Sequence, residues 1–424
     1  MTRKYHRIFL LAFLILLFGQ AQAQQQLSLQ EIKILALENN KKIKIVQSSI
    51  NASIAANAVA KAAAKPTIDA SAFGLYVSDP LKDMFPEYSA NGSVSLTQVL
   101  YAGNKIQNSK KITSSAIELQ HAQKELTEDQ VLLSTEIAYW QVVNLKEKVT
   151  LANQYLLLLD TLKKDLQNSF DAGLIYKNDL LKVEVQHNEA VLNLTRVKDG
   201  LAIAKLNLMQ ISGLNQVDFD IKEDSTMDVQ LISQSDITTA IDKRPEINML
   251  NKSVEIQQYQ SKLIGGSLKP TLAISANGLA SYGKRINFSN GNNDMQAFVG
   301  LITLSVPILD WGGRKQKVKE QEYQTEVKKF ELEEARELIS IEIQNAWLML
   351  NQSVTQIELS RKSLQQAQEN LRLNEDRFEA GTVLGEDVLK AQVLWQKAYA
   401  DVIDAKANNK IMEAKYKKSI GEYR

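Results

Sequence analysis

The sequence predicts a mainly α-helical protein with a small amount of membrane β structure, built as a duplicated unit of helix, strand pair, long helix and returning helix. Three observations predict it. Between Gly103 and Gly173, and again between Gly313 and Gly381, there is neither Gly nor Pro. Those residues are the main helix breakers, so each interval reads as one helix of about 67 residues, ~100 Å long at ~1.5 Å per residue. The chain also repeats itself at an offset of about 208 residues. Finally, strict alternation of polar and apolar residues is confined to a few short segments, all between an opening helix and a long one.

The N-terminus reads as an export signal. Arg3, Lys4 and Arg7 precede an apolar run from Ile8 to Phe18, and Ala21-Gln22-Ala23 supplies small residues before a cleavage point after Ala23. Residues 1–23 are therefore expected to be a signal peptide, because so short an apolar run spans a bilayer poorly.

Residues 24–214 form the first repeat. A helix is expected from about 28 to 65, then strands at about 67–77 and 89–101, a long helix at about 104–172 and a returning helix from about 178 to 212. Ser93-Val94-Ser95-Leu96-Thr97 shows the alternation plainly. Residues 215–236, polar and weakly patterned, link the repeats. Residues 237–424 form the second repeat, with a helix at about 237–263, strands at about 271–283 and 295–308, a long helix at about 314–380 and a returning helix at about 386–420. Ser169-Phe170-Asp171-Ala172-Gly173-Leu174 followed by Asp179 answers to Arg377-Phe378-Glu379-Ala380-Gly381-Thr382 followed by Asp387. Ile343, Leu350, Ile357, Leu364, Leu371 and Phe378 make a seven-residue apolar line, the register of a left-handed coiled coil. Val142, Val149, Leu156, Lys163 and Phe170 repeat it less cleanly.

Composition narrows the function classes. Fifty Lys and Arg balance forty-nine Asp and Glu, which argues against nucleic acid as a partner. Cys is absent, which removes disulfides, thiolate metal sites and a lipid-bearing Cys. His121 and His187 stand alone in polar helical pattern, short of the converging ligands a metal needs. No nucleophile elbow, phosphate loop or metal-ligand spacing is present, so the sequence predicts no enzyme and no cofactor.

Each strand segment is close to the ~9–11 residues of a tilted transmembrane strand. Four strands do not close a barrel, and open edges in lipid leave backbone groups unsatisfied. Strands in a membrane therefore require several copies of the chain, and three copies give twelve strands. Two ordinary soluble hairpins are the alternative. On that reading the chain is a soluble periplasmic coiled-coil adaptor or structural protein.

The order of elements, the Phe-x-Ala-Gly turns with their following Asp, the Leu29 to Asn40 opening and the Ile308-Leu309-Asp310-Trp311-Gly312-Gly313 junction together resemble the TolC family of outer-membrane efflux proteins. The likeness covers nearly the whole mature chain. It implies an outer-membrane homotrimer, a twelve-stranded barrel in the lipid on a long periplasmic α-helical barrel. Such a trimer serves as a passive exit duct of an efflux or type I secretion machine, opened by a periplasmic adaptor and an inner-membrane transporter. It further implies that Ala172, Gly173 and Leu174, with Ala380, Gly381 and Thr382, lie at the periplasmic tip where the adaptor docks. Asp387 would join a ring of carboxylates at the pore constriction, with Asp179 its counterpart. Some members of that family carry a second acid where this chain has Lys390, matched by Lys182. Lys390, one helical turn from Asp387, is expected to pair with it and weaken that ring.

Overall fold

A computed structural model describes residues 25–214, 219–222, 232–287 and 289–423. The expected signal peptide and most of the inter-repeat linker lie outside the described residues. In chain order the elements are β1 (Gln25–Leu27), α1 (Leu29–Asn39), α2 (Lys41–Ala62), β2 (Thr67–Tyr76), β3 (Tyr88–Ala102), α3 (Lys105–Asp171), α4 (Lys177–Ser212), β4 (Phe219–Ile221), α5 (Ile237–Asp242), α6 (Pro245–Gly265), β5 (Thr271–Gly283), β6 (Asp294–Ser305), α7 (Gly313–Glu379) and α8 (Gly385–Ser419). The chain is mostly helical, and α3 and α7 are each 67 residues long. No helix among the described residues is long and apolar enough to cross a membrane.

The residues divide into two compact units. One holds the chain up to Lys44, Thr127–Ile241 and Ile339 onward; the other holds Ile45–Leu126 and Asp242–Leu338.

The first unit is helical apart from a two-stranded parallel pairing of β1 with β4. Ser28 caps α1 in a reciprocal box: its hydroxyl accepts from Glu31 N–H at 3.4 Å, and Glu31 Oε2 accepts from Ser28 N–H at 2.7 Å. The expected continuous opening helix is instead broken at Asn40. Its backbone is extended, its Oδ1 accepts from Lys42 N–H at 2.8 Å, and its Nδ2 donates to Ile211 O at 2.7 Å. One amide thus starts α2 and satisfies a carbonyl near the end of α4, and Asn favours caps over helix interiors for this reason. The counterpart helix of the second repeat is broken as well, at Lys243–Arg244, so that Pro245 stands in the first turn of α6.

Coiled packing runs along the long helices of this unit. In α7 the line Ile343, Leu350, Ile357 and Leu371 is buried and Leu364 half-buried, with Ser353, Ser360 and Ala367 buried three residues after Leu350, Ile357 and Leu364. In α3 the line Val142, Val149, Leu156, Lys163 and Phe170 is fully buried only at Val142, with Leu156 and Phe170 half-buried against the core. The fully buried seam follows Tyr155, Leu159, Leu162 and Leu166, and it packs on Leu180, Val183 and Ala190 of α4 and on Val388 and Leu389 of α8. Lys163 stands outside that seam, its Nζ 3.6 Å from Glu184. That position accounts for a lysine in an otherwise apolar line.

The second unit contains an antiparallel sheet of four strands in the order β2-β3-β5-β6. The hairpins of the two repeats are joined edge to edge through β3 and β5. β6 stops at Ser305, short of the expected 308, since Pro307 has no N–H for a ladder. Asp310 then starts α7, accepting from Arg314 N–H at 2.8 Å and Gly312 N–H at 3.2 Å.

The register gives this sheet two chemically different faces. Ile68, Ala70, Ala72 and Tyr76 pair with Leu96, Val94, Gly92 and Tyr88, and across β3 the same face continues into Ala276, Gly278, Ala280 and Tyr282. On β6 it carries Phe298, Ile302 and Leu304, each more than 60 % exposed. The opposite face is lined by Thr67, Asp69, Ser71, Ser93, Ser95, Thr97, Ser275 and Asn277. Ser71 and Ser93 hydroxyls meet there at 2.8 Å. Phe73, Leu75, Leu279 and the edge residues Val299 and Leu301 interrupt it. Among the described residues, β2 and β6 each have one unpaired edge.

Candidate functional site: the two hairpin turns

Both long helices end in the same backbone device. At the end of α3, Gly173 N–H donates to Phe170 O and Leu174 N–H to Ser169 O, each at 2.9 Å. At the end of α7, Gly381 N–H donates to Phe378 O and Thr382 N–H to Arg377 O, again at 2.9 Å. These are paired Schellman closures, with Gly173 at φ 72° and Gly381 at φ 70°. A side chain at either glycine would meet nothing within 4 Å, so the requirement is conformational, not steric. Ala172, Ala380 and Thr382 are exposed, as are Leu174 (77 %), Tyr176 (82 %) and Leu384 (63 %). Phe170 and Phe378 turn inward against the helical core. Each turn therefore offers an open surface of small and apolar groups held by a rigid closure.

Asp179 and Asp387 occupy the first turns of α4 and α8, where a carboxylate complements the helix dipole. Asp387 Oδ2 faces Leu384 N–H at 3.4 Å. The expected pairing of Lys390 with Asp387 is not what the structure shows. Lys390 Nζ lies 2.8 Å from Glu386 Oε1, the favoured Glu-to-Lys spacing one helical turn apart. Glu386 also accepts from Lys182 Nζ of α4 at 2.5 Å, and Lys182 reaches Asp179 at 3.8 Å. These hydrogen bonds, first from Lys182 and then from Lys390, pull the Glu386 carboxyl down to about 2 and raise both lysines. Both lysines make their ion pairs with Glu386, and the Asp387 carboxylate faces the Leu384 N–H instead.

Glu386 is the residue of this cluster that sequence reasoning missed. Its spacing to Lys390 is visible in the sequence, but its contact with Lys182 depends on α4 packing beside α8. Gly385 brings the start of α8 close to α3 as well: a Cβ there would stand 2.6 Å from Leu166 Cδ2. The matching position of the first repeat is Lys177, so the two hairpins are similar in backbone and different in packing.

A family model described as outer membrane efflux protein matches residues 34–214 and 237–422, one stretch for each repeat. The chain belongs to the outer membrane efflux protein family. Among relatives, the outer membrane efflux protein BepC of Brucella suis is 22% identical over 391 residues, 92% of this chain and 80% of BepC. The outer membrane protein TolC of Escherichia coli is 21% identical over 350 residues, 78% of this chain and 69% of TolC. Two solved structures share the fold. CusC aligns with a TM-score of 0.82 over 95% of this chain and 96% of its own at 12% identity. The Campylobacter jejuni CmeC outer membrane channel aligns with a TM-score of 0.79 over 93% and 86% at 16% identity. For a member of the outer membrane efflux protein family, the mirrored closures at Gly173 and Gly381 are one element occurring twice, once in each matched stretch.

Proposed function

We propose that this protein is the outer-membrane duct of a tripartite efflux or type I secretion system, working as a homotrimer and a passive conduit. The observation that carries this reading is the four-stranded sheet. Its register sorts side chains into an apolar face and a hydroxyl- and amide-rich face, and both its edges are open. An apolar face suits lipid and a polar face suits a water-filled lumen. Open edges in lipid need partners, and three copies of a four-stranded sheet supply them as a closed ring of twelve strands. Exposed apolar residues along α7, including Phe330, Leu338, Ile341 and Leu348, fit burial against a second copy.

On this reading the protein is exported by its N-terminal signal and resides in the outer membrane with a large periplasmic portion. Ala172, Gly173, Leu174, Ala380, Gly381 and Thr382 face the periplasmic adaptor, which couples the duct to an inner-membrane transporter. Asp387, Asp179 and Lys390 stand near the pore constriction, and Asp387 supplies a carboxylate that neither Lys182 nor Lys390 bonds. Conduction calls for no covalent chemistry and no cofactor.

Cell fractionation tests the reading. Resistance to carbonate, release by detergent and a native mass of three chains are expected. A monomer or dimer freely recovered from the periplasm would overturn it.

A further inference from the structure

The four strands of the large sheet carry two charged side chains, Asp69 and Asp294. Asp294 opens β6 at the loop end and pairs in register with Tyr282, on the apolar face. Asp69 is different. It is the third residue of β2, at the end nearer α2, and pairs with Ser95, which pairs in turn with Asn277. It shares a face with Ser71 and Ser93, whose hydroxyls touch, and it is exposed. An ionised group inside a membrane segment is costly unless it meets water, and one kept there on the polar face marks a pathway for ions or solutes.

We propose that Asp69 is a selectivity-determining residue, a fixed negative charge on the barrel wall that gives the conduit a preference for cations. The proposal rests on the channel reading above. Magnitudes favour an effect. Twelve strands spaced ~4.8 Å apart and tilted ~40° enclose a barrel ~24 Å across at the backbone. A carboxylate reaching inward from the wall then lies roughly 8 Å from the axis, inside the Debye length of ~10 Å at 0.1 M salt and well outside the ~3 Å at 1 M. Three such charges share one level of the lumen, and the neighbouring wall of Ser, Thr and Asn has nothing to cancel them. The charge acts at a distance on passing ions, with no bound ligand.

The test is the reversal potential of single channels in planar bilayers under a salt gradient. Every protein carries Asp387→Asn, so that the tip contributes equally. At ~0.1 M salt, Asp69→Asn is expected to lower the cation-over-anion permeability ratio by roughly twofold or more, toward one. Asp69→Glu keeps the ratio, Asp294→Asn leaves it unchanged, and the difference vanishes at ~1 M salt. Channels of normal conductance whose selectivity ignores Asp69→Asn at low salt would overturn the proposal and leave the duct reading standing. Absence of any channel from the Asp387→Asn protein and from the unmodified chain alike would overturn both.

Discussion

Lys182 Nζ lies 2.5 Å from Glu386 Oε2, joining two residues 204 positions apart and tying the first turns of the two returning helices together. Both groups keep partial access to solvent, so the pair adds modestly to stability. Its pH dependence has a definite sign. The carboxyl is held at about 2, below its ordinary 4.5, so its contribution is complete above 4.5 and is lost as pH falls through 2. Amide hydrogen exchange at the starts of α4 and α8 is expected to be slower in the wild type than in Glu386→Gln at pH 7. Between pH 4.5 and 2 the two proteins converge. A wild-type advantage that survived undiminished at pH 2 would exclude the ionised carboxylate as its source.

Gly381 and Gly385 are four residues apart and fail for different reasons when substituted. Gly381→Ala meets only the left-handed backbone penalty of ~1–2 kcal/mol, and Gly381→Asn meets less. Gly385→Ala puts a methyl against Leu166, so that loss is relieved by Leu166→Ala and the loss at Gly381 is not. Thermal unfolding of the single and double variants separates the two. Equal rescue at both positions would refute the distinction.

The long helices were legible because Gly and Pro act locally, and the duplication because Phe170–Gly173 and Phe378–Gly381 share a motif. These two signals were enough to reach the family. Where tertiary contact decides, the sequence was silent. Asn40 breaks a helix because its amide finds Ile211 O, a partner 171 residues away. The fully buried seam of α3 lies on Leu159 and Leu166, with Leu156 only half-buried beside it, because α4 and α8 cover that side. Glu386 was passed over for Asp387 because spacing alone does not reveal Lys182. The two faces of the sheet follow from alternation, whereas the pairing of β3 with β5 across the repeats does not.

Asn409 and Ser353 form a buried polar contact in the coil of α7 and α8. Asn409 Nδ2 donates to Ser353 Oγ at 2.9 Å, and both residues are under 5 % exposed. Asn409 stands in a seven-residue series with Val388, Val402 and Tyr416, where a buried Asn fixes register at some cost in stability. Ser353→Ala leaves the amide short of a partner and is expected to cost ~1–3 kcal/mol. Adding Asn409→Val recovers much of that loss, so denaturant midpoints across the double-mutant cycle are non-additive. Additive losses would mean the contact contributes nothing.

Tyr423, near the end of the chain, donates its hydroxyl to Glu136 Oε2 at 2.5 Å, and Lys33 meets the same oxygen at 2.5 Å while lying 4.9 Å from the Tyr423 ring centre. Burial, and then the nearby Glu136 charge, push the phenol above its ordinary value, so it remains a donor throughout the neutral range. Tyr423→Phe removes one hydrogen bond to a charged acceptor, with an expected loss of ~1.5–3 kcal/mol in chemical denaturation. Lys33→Met is the harsher change, because it leaves a largely buried carboxylate without its cation. The reverse order would show that the phenol, not the lysine, holds Glu136 in place.

Ser71 and Ala72 are neighbours on β2 whose side chains point to opposite faces of the sheet, and arginine at each gives a direct test of what those faces meet. Ala72 lies on the apolar face, paired with Gly92 and followed across β3 by Ala280. If lipid covers that face, Ala72→Arg places a charge near mid-depth and costs ~2–4 kcal/mol of insertion energy, which is seen as lost outer-membrane yield and lost detergent-stable oligomer. Ser71→Arg points the same charge into the polar face beside Ser93, where water solvates it, and assembly is retained. In a soluble hairpin both faces meet water, and the two variants behave alike. The comparison needs no knowledge of cargo or pump, because the two substitutions differ by one position in the chain and share the same chemistry. Equal tolerance of both would remove the lipid from the apolar face.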